Sequence, residues 1–193
     1  MGHKTTKHII MKTTLIILVL GMASISAYAQ KYFTKTANIN FFSATKMENI
    51  DAKSSQVTSI IDFSTGNIAF KMQVKTFQFE KALMQEHFNE KYLETDKYPE
   101  SSFKGQIEHY NPIDFTKDGE YKVTVKGDLN IHGVTQTYTT PAIITVKGGK
   151  VSATAKFPVK LADHKVSIPG AVKDNINEVV EITINADYAV LNK

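Results

Sequence analysis

Three short turn sequences constrain the fold of this chain most strongly, because the spacing of apolar residues changes phase across each of them. The turns lie at 65–68, 131–134 and 147–150, and their central residues are Gly-Asn, His-Gly and Gly-Gly. Such pairs suit the positive φ angles of two-residue hairpin loops. Across each turn the apolar positions change from odd to even numbers or back. Since paired residues share a sheet face, all three turns indicate one common buried face.

Two-residue loops also fix the register of the strands that they join. The loops therefore predict three pairings across the hairpins: Phe63–Phe70, Ile131–Val134 and Val146–Val151. Alternating apolar and polar residues predict eight strands in all, at 35–43, 55–63, 68–77, 102–110, 120–131, 134–147, 151–161 and 178–191. The stretch 110–121 does not keep this parity and is interpreted as a longer loop.

Eight antiparallel strands with one apolar and one lysine-rich face can close as an up-and-down barrel or pack as two sheets. Consecutive tight hairpins and long strands favour the barrel, which leaves no open edge. An eight-stranded barrel is either filled by its own side chains or wide enough for one small ligand. The sequence leaves both interiors open as alternatives.

One segment departs from the strand pattern. Met84, Phe88 and Tyr92 are four residues apart, which places them on one face of a helix over 81–93. Pro99 restricts Tyr98 to extended conformations and returns the chain to a strand. We expect this short helix to cap one end of the barrel, and the alternative is an ordinary amphipathic helix that covers apolar surface. The predicted cap residues are Leu83, Met84, Phe88 and Tyr92.

The first 29 residues have the layout of a secretory signal: lysines, an apolar run, and an Ala27-Tyr28-Ala29 cleavage sequence. Cleavage there would leave residues 30–193 as a single domain in the periplasm or outside the cell. Three of the 23 basic residues lie in this leader, so 20 lysines remain against 19 acidic residues. The chain has no arginine, and its lysines are spread along the strands, which argues against nucleic-acid binding.

The search for chemistry finds few candidates. The chain has no cysteine, and its histidines do not have metal-ligand spacing, so neither a metal site nor a thiol nucleophile is expected. His132 lies in a hairpin turn, where its tolerance of positive φ explains its presence. His109 and His164 are interpreted as surface or rim residues. No catalytic residue and no cofactor are predicted.

Strand parity instead predicts an apolar interior that would line any ligand site. Polar groups at its rim would be Gln136, His109 or Tyr121. The predicted lining residues are Ile39, Phe41, Val57, Ile61, Phe63, Phe70, Met72, Val74, Phe103, Ile107, Tyr121, Val123, Val125, Ile144 and Phe157.

Two motifs give the chain a resemblance to the YceI-like family. The stretch "FNEKYLETDKYPESSFKGQI" (88–107) resembles the passage of that family from helix to strand, with Phe88, Tyr98, Pro99 and Phe103 in matching places. The hairpin "VKGDLNIHGVTQTYTTPAIITV" (125–146) is similar to a second family motif, and "VVEITINADYAV" fits its last strand. The matching hairpin residues are Gly127, Leu129, Ile131, Gly133, Val134, Thr135 and Pro141.

The resemblance implies an exported, lipocalin-like barrel that binds isoprenoids, isoprenoid quinones or similar amphiphiles and is not an enzyme. The chain departs from the family pattern at 157–171, which lacks the usual arginine, and at 36–56, which lacks the usual histidine. The leading hypothesis is a carrier of one isoprenoid, quinone or fatty-acyl molecule, as a monomer or homodimer that works transiently near membranes. The alternatives are a solid-cored interaction module, with loops at 48–56 and 111–120 as contact sites, and an enzyme acting inside the barrel.

Overall fold

The computed structural model describes residues 31–44, 49–114, 117–170 and 176–191, so the predicted leader lies outside the described residues. Alternating side chains in these ranges form nine strands. The helix α1 covers Ala82–His87. The strands are β1 (Lys31–Ser43), β2 (Ile50–Asp62), β3 (Asn67–Gln73), β4 (Gln78–Phe79), β5 (Glu100–Ile107), β6 (Gly119–Ile131), β7 (Val134–Lys147), β8 (Lys150–Lys160) and β9 (Val179–Val190).

Eight of the strands form a closed antiparallel barrel. Their order around the barrel is β1-β9-β8-β7-β6-β5-β3-β2, and β1 pairs with β2 as well as with β9. The two-residue β4 adds to the beginning of β2. The predicted eight-stranded up-and-down barrel with one short helix is confirmed, and with closure each long strand has a neighbour on both sides.

Two of the three predicted turns have the predicted register. Ile131 pairs with Val134 across the β6–β7 hairpin, and Val146 pairs with Val151 across the β7–β8 hairpin. The glycines at these turns, Gly133 and Gly148, have φ of 72° and 56°. Because both hairpins follow the predicted pairing, the apolar residues of β6, β7 and β8 face one side of the sheet.

The register predicted at the first turn is wrong. Phe70 pairs with Ser59 rather than Phe63, because the loop has four residues, 63–66, instead of two. The Asp62 carboxylate accepts hydrogen bonds from the backbone N–H (2.9 Å) and the hydroxyl of Ser64 and so stabilises this wider turn. The displacement is four residues, an even number, so the same side chains still face the interior.

The segment 48–56 is not a loop, which corrects the predicted contact site there. Strand β2 begins at Ile50, and its small side chains Ala52 and Ser54 are buried. A register shift in the β1–β2 ladder between Ala37 and Ile39 marks a bulge that interrupts the alternation of β2. Short, partly polar side chains together with this bulge explain why the strand is not evident in the sequence.

The predicted helix over 81–93 consists of α1 and one π-helical turn at Phe88–Tyr92. In this turn the N–H of Leu93 donates to the carbonyl of Phe88 at 2.9 Å. The Phe88 ring stacks on Phe41 at 5.4 Å and also contacts Phe77 and Phe79. This aromatic cluster anchors the helix to the end of the barrel where β2 begins.

The opposite end of the barrel is closed by packed side chains. The ring of Tyr32 meets Phe63 edge-on at 5.4 Å, and both side chains are buried. The Tyr110 hydroxyl donates to the carbonyl of Phe63 at 2.6 Å, from the long loop that the sequence predicts before β6. Among the described residues, no helix is both long and apolar enough to cross a membrane.

Candidate ligand-binding cavity

The barrel encloses a cavity of about 860 Å³ between its packed end and the helix α1. Ligand sites in proteins typically have volumes of roughly 300–1,000 Å³. The cavity exists because small side chains, among them Ala153 and Ala155, occupy inward positions where larger ones would fill the barrel. The interior is therefore an apolar chamber with space for a molecule of considerable length.

Most of the predicted lining residues surround this cavity. Three predicted residues are not part of the lining: Phe63, Ile107 and Tyr121. Phe63 and Ile107 are buried elsewhere, and the Tyr121 hydroxyl donates to the carbonyl of Asp114 at 3.3 Å. Their contact with a ligand, like that of the others, stays a prediction. The predicted residues that line the cavity are Ile39, Phe41, Val57, Ile61, Phe70, Met72, Val74, Phe103, Val123, Val125, Ile144 and Phe157.

The four predicted cap residues, Leu83, Met84, Phe88 and Tyr92, also line the cavity. Leu83 is at the same time 61% exposed, so the cavity reaches the protein surface beside α1. Two basic side chains contribute to the lining there, His87 of α1 and Lys81 just before it. Among the described residues the lining has no aspartate or glutamate. This edge of the cavity is compatible with a neutral or anionic group.

The predicted rim groups are not part of the lining. The Gln136 amide donates to the carbonyl of Asp163 at 2.9 Å. His109 is exposed in the long loop with φ of 48°. Nothing in their positions connects these side chains with the cavity.

The polar side chains that do line the cavity were not singled out from the sequence. Tyr138 and Thr140 lie on β7 and share the parity of Ile144, which is the signal that would have identified them. The segment after β8 also contributes, through Leu161 and Val166. Beyond Leu161 this segment lies outside the predicted strands, so strand parity gives no prediction for it.

His164 is completely buried, and its interpretation as a surface or rim residue is wrong. Its Nδ1 lies 3.0 Å from the carbonyl oxygen of Val134, and its Nε2 lies 3.0 Å from the hydroxyl of Tyr138. A short 3₁₀ helix, Leu161–His164, brings it to this position. The ring completes the cavity wall and satisfies both of its nitrogens.

His132 adopts φ of 53°, as expected for its turn, but its side chain also joins three segments. Its Nε2 lies 2.8 Å from a carboxylate oxygen of Glu94, and its Nδ1 lies 3.3 Å from the carbonyl oxygen of His164. The ring of Tyr98 meets the His132 ring edge-on at 4.5 Å. These contacts fix the passage after the helix against the β6–β7 hairpin.

The family model described as the YceI-like domain matches residues 30–188. The chain belongs to this family. The two YceI-like motifs are in direct contact, since a Cβ on Gly133 would lie 2.6 Å from the ring of Tyr98. A glycine at this place lets the tyrosine of the first motif pack on the turn of the second.

Solved structures share the YceI-like fold at low sequence identity. A polyisoprenoid binding domain from Saccharophagus degradans, implicated in plant cell wall breakdown, is 15% identical with a TM-score of 0.69, covering 83% of this chain and 98% of that one. Burkholderia cenocepacia BcnA is 16% identical with a TM-score of 0.66, covering 79% and 96%. A Campylobacter jejuni YCEI protein is 16% identical with a TM-score of 0.56, covering 78% and 90%. No curated protein sequence matches the chain.

A second polar pair includes Tyr188, which lines the YceI-like cavity. The hydroxyls of Ser59 and Tyr188 are 2.7 Å apart, and both residues are buried. Burial raises the pKa of Tyr188 far above its ordinary value of 10.0. In the part of the chain that the structure describes, no group of three metal-ligating side chains comes together.

The buried phenol of Tyr188 predicts a loss of stability in alkali. Above pH 10 the unfolded chain ionises this tyrosine while the folded protein keeps it protonated, so the free energy of unfolding falls as pH rises. The slope from this residue is about 1.4 kcal/mol per pH unit. Urea denaturation at pH 9 and pH 11 should show a smaller loss for Tyr188→Phe than for the unchanged protein. An equal loss in both would contradict the assignment.

Proposed function

We propose that this protein is an exported carrier that holds one long apolar or amphiphilic molecule of isoprenoid, quinone or fatty-acyl type inside its barrel. The observation that carries the proposal is the cavity of about 860 Å³, which is lined mainly by apolar side chains and reaches the surface beside Leu83. Membership in the YceI-like family and the fold shared with a polyisoprenoid binding domain support it.

The driving force for binding would be burial of hydrocarbon. Each CH₂ group that leaves water contributes about 0.8 kcal/mol, so a long chain needs no strong polar contact to bind. The ordering of a flexible chain opposes this gain. A cavity formed in advance by the barrel keeps the protein's own share of that cost small.

The carrier role includes no catalysis. In this role the mature protein would work in the periplasm or outside the cell, where an apolar molecule that leaves a membrane needs protection from water. The exposed Leu83 beside the cavity offers an apolar contact for transient approach to a membrane, and the carrier would work as a monomer or homodimer. A solid-cored module would not need the space that the barrel encloses.

The proposal is tested by native mass spectrometry of residues 30–193 purified without detergent, followed by organic extraction and by incubation with geranylgeraniol, ubiquinone and palmitic acid. We expect one apolar adduct per chain. The carrier function would be contradicted if the protein bound none of these compounds and organic extraction released no host lipid from it.

A pair of variants on neighbouring strands shows whether the cavity is the site. Ala155→Phe fills space within the lining and is expected to reduce adduct formation at least about tenfold, whereas Ala189→Phe adds the same ring to an exposed position of β9 and should change nothing. Equal adduct formation in the two variants would place the ligand elsewhere.

A further inference from the structure

The apolar cavity has a polar strip on one strand. Tyr138 and Thr140 are two residues apart on β7, so both side chains point into the barrel on the same face. The parallel ring of His164, 5.8 Å away, and the ring of Phe157, 6.0 Å away, hold the phenol of Tyr138 in place. A ligand that fills the cavity therefore passes two hydroxyl groups in fixed positions.

The hydrogen atoms of this strip can be assigned from the partners. A backbone carbonyl only accepts, so the Nδ1 of His164, at 3.0 Å from the Val134 oxygen, carries a proton. In an imidazole with one proton the other nitrogen accepts, so the Tyr138 hydroxyl at 3.0 Å donates to Nε2. Burial, and next the negative charge of Asp163, raise the pKa of Tyr138, which keeps this proton on the phenol.

Thr140 repeats this arrangement. Its hydroxyl donates to the carbonyl of Pro141 at 3.2 Å, and its side chain is buried. The single proton of each hydroxyl is therefore directed to a protein acceptor, and each oxygen keeps a lone pair for a ligand. The strip presents acceptors and no donor.

We infer that the strip formed by Tyr138 and Thr140 selects ligands whose polar group donates a hydrogen bond, such as an alcohol, a hydroquinone or a primary amide, over ethers, esters, ketones and quinones. This inference rests on the proposed carrier function and refines its ligand class. A ligand group that only accepts hydrogen bonds has two options beside the strip, and both are unfavourable. It either faces a lone pair, or it takes the Tyr138 proton and leaves the buried His164 nitrogen without a partner.

The serine hydroxyls and the Ser59–Tyr188 pair do not provide this discrimination, and the lysines of the lining, Lys71 and Lys81, are exposed. A serine hydroxyl has one donor and two acceptor lone pairs and turns to suit its partner, so Ser101 of the lining can donate to a ligand or accept from it. In the Ser59–Tyr188 pair either oxygen can be the donor. The strip on β7 differs from these groups, because its protons are directed away from the ligand by acceptors that cannot reciprocate.

The test compares geranylgeraniol with its methyl ether, which lacks the donor and carries one additional methyl group. Both compete with the fluorescent probe N-phenyl-1-naphthylamine for residues 30–193. We expect the alcohol to bind about tenfold more tightly than the ether, the effect of one hydrogen bond made or lost in a buried site. Equal affinities would overturn the inference while leaving the carrier function intact, whereas failure of both compounds to bind would overturn both.

Two variants assign the preference to the strip. In the double variant Tyr138→Phe and Thr140→Val, the affinity for the alcohol should fall to that for the ether. The affinity of this double variant for the ether should equal that of the unchanged protein. Thr139→Val is the matched control, because Thr139 lies between the two residues on β7 and its side chain is exposed outside the lining. A preference for the alcohol that persists in a folded double variant would overturn the assignment. The comparison in the unchanged protein does not depend on the folding of either variant.

Discussion

Uptake of apolar molecules is expected to fall at least about a hundredfold when Val125 is replaced by aspartate. Val125 is 5% exposed, lines the cavity and pairs with Ile107 and Thr140 on the neighbouring strands. A carboxylate there either stays charged in an apolar chamber or takes up a proton, and in both forms it keeps water in the space that the ligand needs. Fluorescence titration with N-phenyl-1-naphthylamine measures the effect directly.

Thr124→Asp provides the control on the same strand, since its side chain points to solvent and is exposed. It should bind the probe as the unchanged protein does. Because Val125→Asp also threatens folding, Phe70→Asp provides a second test at a cavity position that is only partly buried. Unchanged uptake in either variant, with a circular dichroism spectrum of the folded protein, would disprove the lining assignment.

The largest loss of stability is expected for Gly127→Ala. Gly127 on β6 pairs with Gly105 on β5, and the Phe103 ring lies over both. A Cβ on Gly127 would lie 2.5 Å from Gly105 Cα and from the Lys104 carbonyl oxygen, so backbone would have to move. We expect a loss of about 3 kcal/mol, which lowers Tm by roughly 6–12 °C in a domain of this size.

Gly119→Ala is the matched control for this prediction. It lies on the same strand, and a Cβ there would meet only the ring of Tyr121 at 3.6 Å, an ordinary contact. Differential scanning calorimetry of the two variants should show a large shift for Gly127→Ala and a small one for Gly119→Ala. Similar shifts would mean that the strands separate enough to accept a methyl group, and the contact between glycines would then not limit the fold.

The barrel could be predicted because its hairpins are local. The turns at His132 and Gly148 have few residues, and the alternation on both sides agrees with one buried face. The turn at 63–66 could not be predicted, since glycine and asparagine at 66–67 indicate a two-residue loop while the Asp62 carboxylate stabilises a four-residue one. Side-chain to backbone hydrogen bonds thus decided between two registers that bury the same residues.

The cavity lining could be predicted where parity applies, as it does for Ile61, Val125 and Ile144. Parity places Tyr138 inward as well but does not predict the direction of its hydroxyl proton, which depends on His164, 26 residues further along the chain. Nor does parity distinguish an inward residue of the cavity from an inward residue of the packed end, as Phe63 illustrates. Such distinctions depend on where the barrel ends.

The pairing of β1 with both β2 and β9 has a consequence for how this protein folds. The contact of Tyr32 with Val190 joins residues near the two ends of the described chain, so this ladder can form only after all other strands have been synthesised. Topologies with such high contact order fold slowly, in milliseconds to seconds. Until β9 arrives, β1 and β8 expose unpaired edges, and the apolar wall is open to water. The last strand therefore determines when the nascent protein ceases to be prone to aggregation.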